Sequence, residues 1–268
     1  MSKATEARVR DELLQTLYSH VLRCTLASAA SGLRGEDSAA AAGVFANLHA
    51  GDTILLPARH AAGFRVLRGL SVASAKTGTA RDRAARVYAL PPSEAQAVAF
   101  CLAMGMAAAD APATHGSAVV VVLPPRVHLH SSHARGHKLP STWEDAAAYA
   151  ARTALPMLFV SVAGSPAGNA AVDPSLPAPL YPSIPVDRAD ALAAYRVAFE
   201  CLGRARAGGG PSHLFAGRYP APPGIGSSGI SGSALTRLEA MLRKRGCYSK
   251  AWQRTLEREI TRELAGQP

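Results

Sequence analysis

Four histidines, His128, His130, His133 and His137, crowd into the stretch "PPRVHLHSSHARGHKLPS". Neutral imidazole nitrogens are ligands for Zn²⁺, Ni²⁺ or Cu²⁺. If the segment is extended, His128 and His130 face one side; if it is helical, His133 and His137 share a face. Arg126, Arg135 and Lys138 make the same stretch cationic, and Ser131 and Ser132 add hydroxyl donors. That combination suits phosphate or another anion as well as a metal. A solvated basic loop is the third reading, since histidine-rich tracts also occur without a metal role.

Other stretches carry less chemistry. "KTGTARDR" has the Lys, Gly and Thr of a phosphate loop but lacks the Gly-x-x-x-x-Gly-Lys spacing, and reads as a surface loop. "GSSGISGS" offers serines without the strand-to-helix elbow of a hydrolase nucleophile. Glu144 and Asp145 are adjacent on a helix, point to different sides and form no carboxylate pair.

The histidine stretch needs elements to hold it. A buried-type strand, Ala118 to Leu123, precedes it. An Ala-rich helix, Trp143 to Ala154, and a second strand, Met157 to Val162, follow. Strand, helix, strand predicts a βαβ unit with parallel strands, and loops at the carboxyl ends of such strands are where ligands sit.

Upstream, helical periodicity predicts a long helix over Thr5 to Ala30, a second over Ala39 to Leu48, and an apolar helix over Glu94 to Ala108. "HAGD" turns the chain into a strand "TILLPAR"; a short helix follows from about Gly63 to Leu67. "SAKTGTARDRAARVYALPPS" reads mostly as loop, and "AGSPAGNAAVDPSLPAPLYPSIPVD" as a long Pro-rich connection. A helix over Asp190 to Ala207 leads to a last strand in "GGGPSHLFAGRY" and a Gly/Ser-rich segment. Two helices close the chain, with Gly246 as the C-terminal cap of the first and Ser249 as the N-cap of the second.

The net charge is +10, carried mostly by arginine. A basic balance favours polyanions, but there is no basic patch interleaved with aromatics, no helix-turn-helix signature and no zinc-finger spacing. A nucleic-acid partner is therefore not expected from sequence. Cys24, Cys101, Cys201 and Cys247 form no CxxC pair, which excludes a zinc ribbon and a thioredoxin motif and suits a reducing cytosol. The charged start "MSKATEARVRDELLQ" has no signal-peptide core, and no apolar run is long enough to span a bilayer. The expectation is a cytoplasmic protein.

Several segments, in order, resemble the alpha subunit of thiamine-diphosphate-dependent 2-oxo acid dehydrogenases of the pyruvate and branched-chain type. They are "LHAGDTILLPARHAAGFRVLRG", "AQAVAFCLAMGMAAAD", "TWEDAAAYAARTALPMLFVSVAG", "IPVDRADALAAYRVAFECLGRARAGGGPSHLFAGRY" and the two closing helices. The resemblance implies an α/β fold: a doubly wound, mostly parallel sheet flanked by helices, the thiamine-diphosphate-binding fold, with a C-terminal helical pair. It divides the chain into an α/β domain over 1–232 and a helical tail over 233–268. It implies a beta-like partner subunit, in a hetero-oligomer such as the family's heterotetramer, or else a homodimer. The cofactor would lie between subunits, its diphosphate held through Mg²⁺ by the alpha chain.

The ligand positions depart from the family. Leu123, Pro124 and Pro125 stand where it has Gly-Asp-Gly, and Val162, Ala163 and Gly164 where it has Glu-Asn-Asn. The Tyr-Arg pair after the early strand is Ala58-Arg59, and the Arg, His and Asp expected after Tyr219 have no counterpart. Scaffold positions match: Pro156, Val186, Asp187, Asp190, Tyr195, Gly210 and Pro211. The expectation is a degenerate subunit, inactive by itself and without its own diphosphate or Mg²⁺ site. The alternatives are an active subunit using Arg59 with Arg126, Arg135 or Lys138 on the diphosphate, and an anion- or nucleic-acid-binding protein on the same fold.

Overall fold

A computed structural model describes residues 3–31, 38–73, 86–111, 116–124, 127, 129, 140–162, 180–217 and 233–266, with backbone alone at 3–9, 28–31 and 59–63. Six strands form one sheet: β1 (Thr53–Leu56), β2 (Val87–Ala89), β3 (Val119–Val122), β4 (Met157–Val162), β5 (Ser183–Asp187) and β6 (Ser212–Gly217). Their order is β2-β1-β3-β4-β6-β5, and every pairing is parallel. The helices are α1 (Lys3–Ser31), α2 (Ser38–Phe45), α3 (Ala58–Leu67), α4 (Glu94–Ala109), α5 (Trp143–Arg152), α6 (Ala191–Arg206), α7 (Ala234–Lys244) and α8 (Lys250–Ala265).

A parallel sheet needs both faces covered, so its central strands read as unbroken apolar runs. β3 is Val-Val-Val-Val, all buried. Val120 and Val122 enter one core with α2 and α6; Val119 and Val121 enter the other with α4 and α5. A third cluster joins α1 to α7 and α8 through Leu17, Tyr18, Val21, Leu238, Leu242, Ile260 and Leu264. The α/β class and the parallel sheet agree with the sequence reading.

Helix ends follow capping chemistry. Thr142, Asp190, Ser233 and Ser249 each accept a backbone N–H through the side chain at the start of α5, α6, α7 and α8. Gly246, at φ +72°, takes the left-handed conformation just past α7, with its N–H on the Arg243 carbonyl.

Three expectations need correction. The stretch read as loop contains β2, a three-residue edge strand that pairs Val87 with Ile54. It is too short to leave a periodic pattern, and β1 supplies what holds it. The Pro-rich connection contains β5, where exposed Pro185 is tolerated because the strand is at the sheet edge and bonds only β6. The strand expected through Arg59 ends at Leu56, and α3 starts at Ala58 rather than near Gly63. Pro57 ends the strand and sits at the N-cap of α3 with φ −56°.

Candidate functional site at the carboxyl edge of the sheet

β1 and β3 are neighbours whose onward connections leave on opposite faces, α3 packing on one side and α5 on the other. Between their carboxyl ends lies the switch-point crevice where open α/β sheets bind ligands. Pro57 and Ala58 border it from β1, and Leu123 and Pro124 from β3. Arg59 is in the first turn of α3 at this edge, and its side chain lies outside the described residues. Arg126, Arg135, Lys138, His128, His130, His133 and His137 also lie outside them. What is described of the loop is Val127 and Leu129, both packed against the core shared with α4 and α5. Val127 donates its N–H to the Pro124 carbonyl at 3.1 Å, turning the chain directly after β3.

A Mg²⁺-bound diphosphate needs oxygen ligands in near-octahedral array, with backbone donors free to approach the phosphates. Leu123 is 2 % exposed, and its N–H is taken by the Val160 carbonyl at 2.8 Å. Pro124 has no N–H. Val162, at the end of β4, brings no side-chain oxygen. The described residues at these two strand ends do not fit a diphosphate-bound metal.

The scaffold positions named from the sequence each have a physical task. Pro156 accepts the Val119 N–H into the start of the β3–β4 ladder. Val186 is buried in the core under α6. Asp187 accepts from the Ala189 N–H and from Arg237 of α7 at 2.7 Å, tying the end of β5 to the C-terminal helices. Asp190 caps α6, and the Tyr195 carbonyl accepts from Asn47. Gly210, at φ +78°, makes the turn into β6 beside Ala154, and Pro211 is buried next to it.

Two polar clusters were not singled out by sequence. Asp52 is 0 % exposed at the amino end of β1. It accepts from the His49 N–H and the Ala118 N–H, each at 2.7 Å, and pairs with Arg206. Its burial at the amino edge, away from the switch crevice, makes it a structural tie. The signal was a lone carboxylate abutting an apolar strand.

The second cluster is His213, the second residue of the "SHLFAG" strand. Its Nε2 bonds Ser161 Oγ at 2.9 Å and its Nδ1 bonds Ser183 Oγ at 2.8 Å. His213 and Ser161 are buried, whereas Ser183 is exposed on the edge strand. Each hydroxyl can donate or accept, so either imidazole tautomer is satisfied. The signal was one polar ring in an otherwise buried strand.

The thiols are placed for packing. Cys24, Cys101 and Cys201 are buried, and burial raises the pKa of all three, Cys24 to about 12. Such thiols are poor nucleophiles. Among the described residues no group of three or more His, Cys, Asp or Glu is arranged to hold a metal, and no helix is long and apolar enough to cross a membrane. No protein-family model matches the chain, and no curated protein matches its sequence.

Proposed function

We propose that this chain is an alpha-subunit-like protein of the 2-oxo acid dehydrogenase type that has lost its own diphosphate and Mg²⁺ site and serves a beta-like subunit as structural or regulatory partner. One observation carries the reading. The scaffold residues that resemble the family all have positioning tasks around a parallel sheet, while the strand ends that would hold the cofactor present Leu123, Pro124 and Val162. A chain that keeps the frame and replaces the ligands with apolar side chains keeps what a partner needs and drops what the chemistry needs.

The test is titration calorimetry of thiamine diphosphate with Mg²⁺, on the chain alone and with a co-purifying beta-like subunit. The expected result is a stable complex of the two chains with no cofactor heat attributable to this one. Stoichiometric, saturable binding to this chain overturns the proposal. Saturable binding only in the complex, lost in Arg59→Gln, favours the active subunit with an unusual anion site instead.

A further inference from the structure

The last helix carries a row of cations. Lys250, Arg254, Arg258 and Arg262 recur every fourth residue along α8, and all four are exposed. At 1.5 Å and about 100° per residue, successive cations are about 6 Å apart and drift by about 40°, a shallow stripe about 18 Å long. The other side chains in this sector are Ala251, Thr261 and Ala265, with Thr255 just beyond one edge. Of the glutamates of α8, Glu257 lines the same surface groove as Arg254, Arg258, Thr261 and Arg262, Glu259 lies beyond the Arg262 edge, and Glu263 pairs with Arg23 of α1. Among the described residues none of the four stripe cations has an ion-pair partner. Arg258 Nε donates to the Arg254 carbonyl at 3.2 Å.

Part of this arrangement opposes the helix's own stability, although Arg262 in the last turn is favoured by the macrodipole. Like charges at i, i+4 repel by about 0.2–0.5 kcal/mol per pair. Lys250 stands in a first turn that has no acidic residue, where the macrodipole disfavours cations. Glu257 and Glu259, three residues from Arg254 and Arg262, offset part of that repulsion, and the excess of cations left on this exposed face points to a partner outside the chain.

The apolar face of α8 is already used. Ile260 and Leu264 are buried with α1 and α7, and Trp252 packs on Tyr18 at 5.4 Å between ring centroids. The helix therefore has no free apolar face to enter a bilayer, which a membrane-surface helix requires. The stripe has no aromatic or large aliphatic anchor, which a protein interface needs at its centre. What remains is regularly spaced guanidinium groups with hydroxyls between them, the chemistry of phosphate-backbone contact.

We infer that the exposed α8 stripe of Lys250, Arg254, Arg258 and Arg262 binds the phosphate backbone of a nucleic-acid duplex without reading its sequence. No Asn or Gln in the stripe is available to read base edges, and the net charge of +10 steers a polyanion toward the chain. The inference is independent of the subunit reading, since it uses none of the residues at the carboxyl edge of the sheet.

The experiment is fluorescence anisotropy of a mixed-sequence DNA duplex of about 20 base pairs, titrated with the full chain from about 25 to about 200 mM salt. If the stripe neutralises up to four phosphates, log K falls against log salt with a slope of about −3 to −4. Arg254→Gln/Arg258→Gln/Arg262→Gln is expected to fold normally, weaken binding at least about tenfold at low salt and flatten the slope by about 0.9 per cation removed. Arg152→Gln/Arg196→Gln/Arg204→Gln removes the same charge from exposed positions elsewhere and is expected to leave most of the binding. Absence of duplex binding at the lowest salt, or equal losses in the two triple variants, overturns the inference. Competition by polyglutamate as strong as by unlabelled duplex also overturns it, assigning an acidic protein surface instead.

Discussion

Arg206, the last residue of α6, reaches back to the carboxylate of Asp52 at the start of β1 and also donates to the Asn47 carbonyl at 3.1 Å. With the Ala118 N–H on its other oxygen, Asp52 gathers the starts of β1 and β3, the end of α2 and the end of α6 at one buried point. The Arg206 Nε is buried without a partner, so the guanidinium depends on this contact.

Asp52→Asn should therefore be strongly destabilising. The amide would set its own N–H donors against donors and leave the guanidinium charge uncompensated. Breaking a buried pair from one side costs roughly 3–5 kcal/mol, which for a chain this long corresponds to a melting-temperature loss of about 10 °C. Thermal unfolding followed by circular dichroism checks this, and a change under about 2 °C refutes the role given to Asp52.

His20 sets a pH dependence. Its ring lies edge-on to Phe45 at 5.2 Å, and its Nδ1 is buried without a hydrogen-bond partner. Burial first, and then the neighbouring Arg23, lower its pKa from 6.5 to about 4, against a smaller opposing effect of the nearby Ala42 backbone. The unfolded chain then binds a proton at higher pH than the folded one. Stability is full above about pH 6.5 and declines as the pH falls toward about 4, by at most about 3 kcal/mol. Urea midpoints across that window should fall in the wild type and stay flatter in His20→Leu.

The His213 cluster should behave as a unit. His213→Leu leaves Ser161 Oγ buried and unpartnered, at a cost of about 1–3 kcal/mol. Ser183, being exposed, can turn to water. The double variant His213→Leu/Ser161→Ala removes both ends of the buried contact and should recover most of that loss. Additive losses in a double-mutant cycle of urea midpoints would show that the bond contributes nothing.

Two glycines should respond with opposite signs. A Cβ on Gly43 would meet the Ala191 carbonyl at 2.6 Å and the Tyr195 backbone nitrogen at 2.7 Å, because α2 and α6 touch backbone to backbone there. Gly43→Ala should cost about 1–3 kcal/mol through forced separation of the helices. A Cβ on Gly203, within α6, meets nothing within 4 Å. Gly203→Ala should stabilise by about 0.5–1 kcal/mol through helix propensity. Denaturant unfolding of the two variants reads both signs directly.

The sequence by itself determined the elements whose residues carry their own signal. The Val run of β3, the periodic Leu and Tyr of α1 and the caps at Gly246 and Ser249 follow from local burial pattern and hydrogen-bond chemistry, and they stand where they were expected. The lack of side-chain oxygens at Leu123, Pro124 and Val162 was equally legible, because residue type alone decides what can bind a metal. Only the tertiary structure decided β2 and β5, whose short or proline-bearing segments become strands because β1 and β6 offer them backbone partners. It alone joined Asp52 to Arg206, and His213 to Ser161 and Ser183, across separations no periodicity can report. It also set α8 with its apolar face on α1, which turns four evenly spaced cations outward as one stripe. Local chemistry fixes what a segment can become, and long-range pairing and burial fix which of those side chains meet.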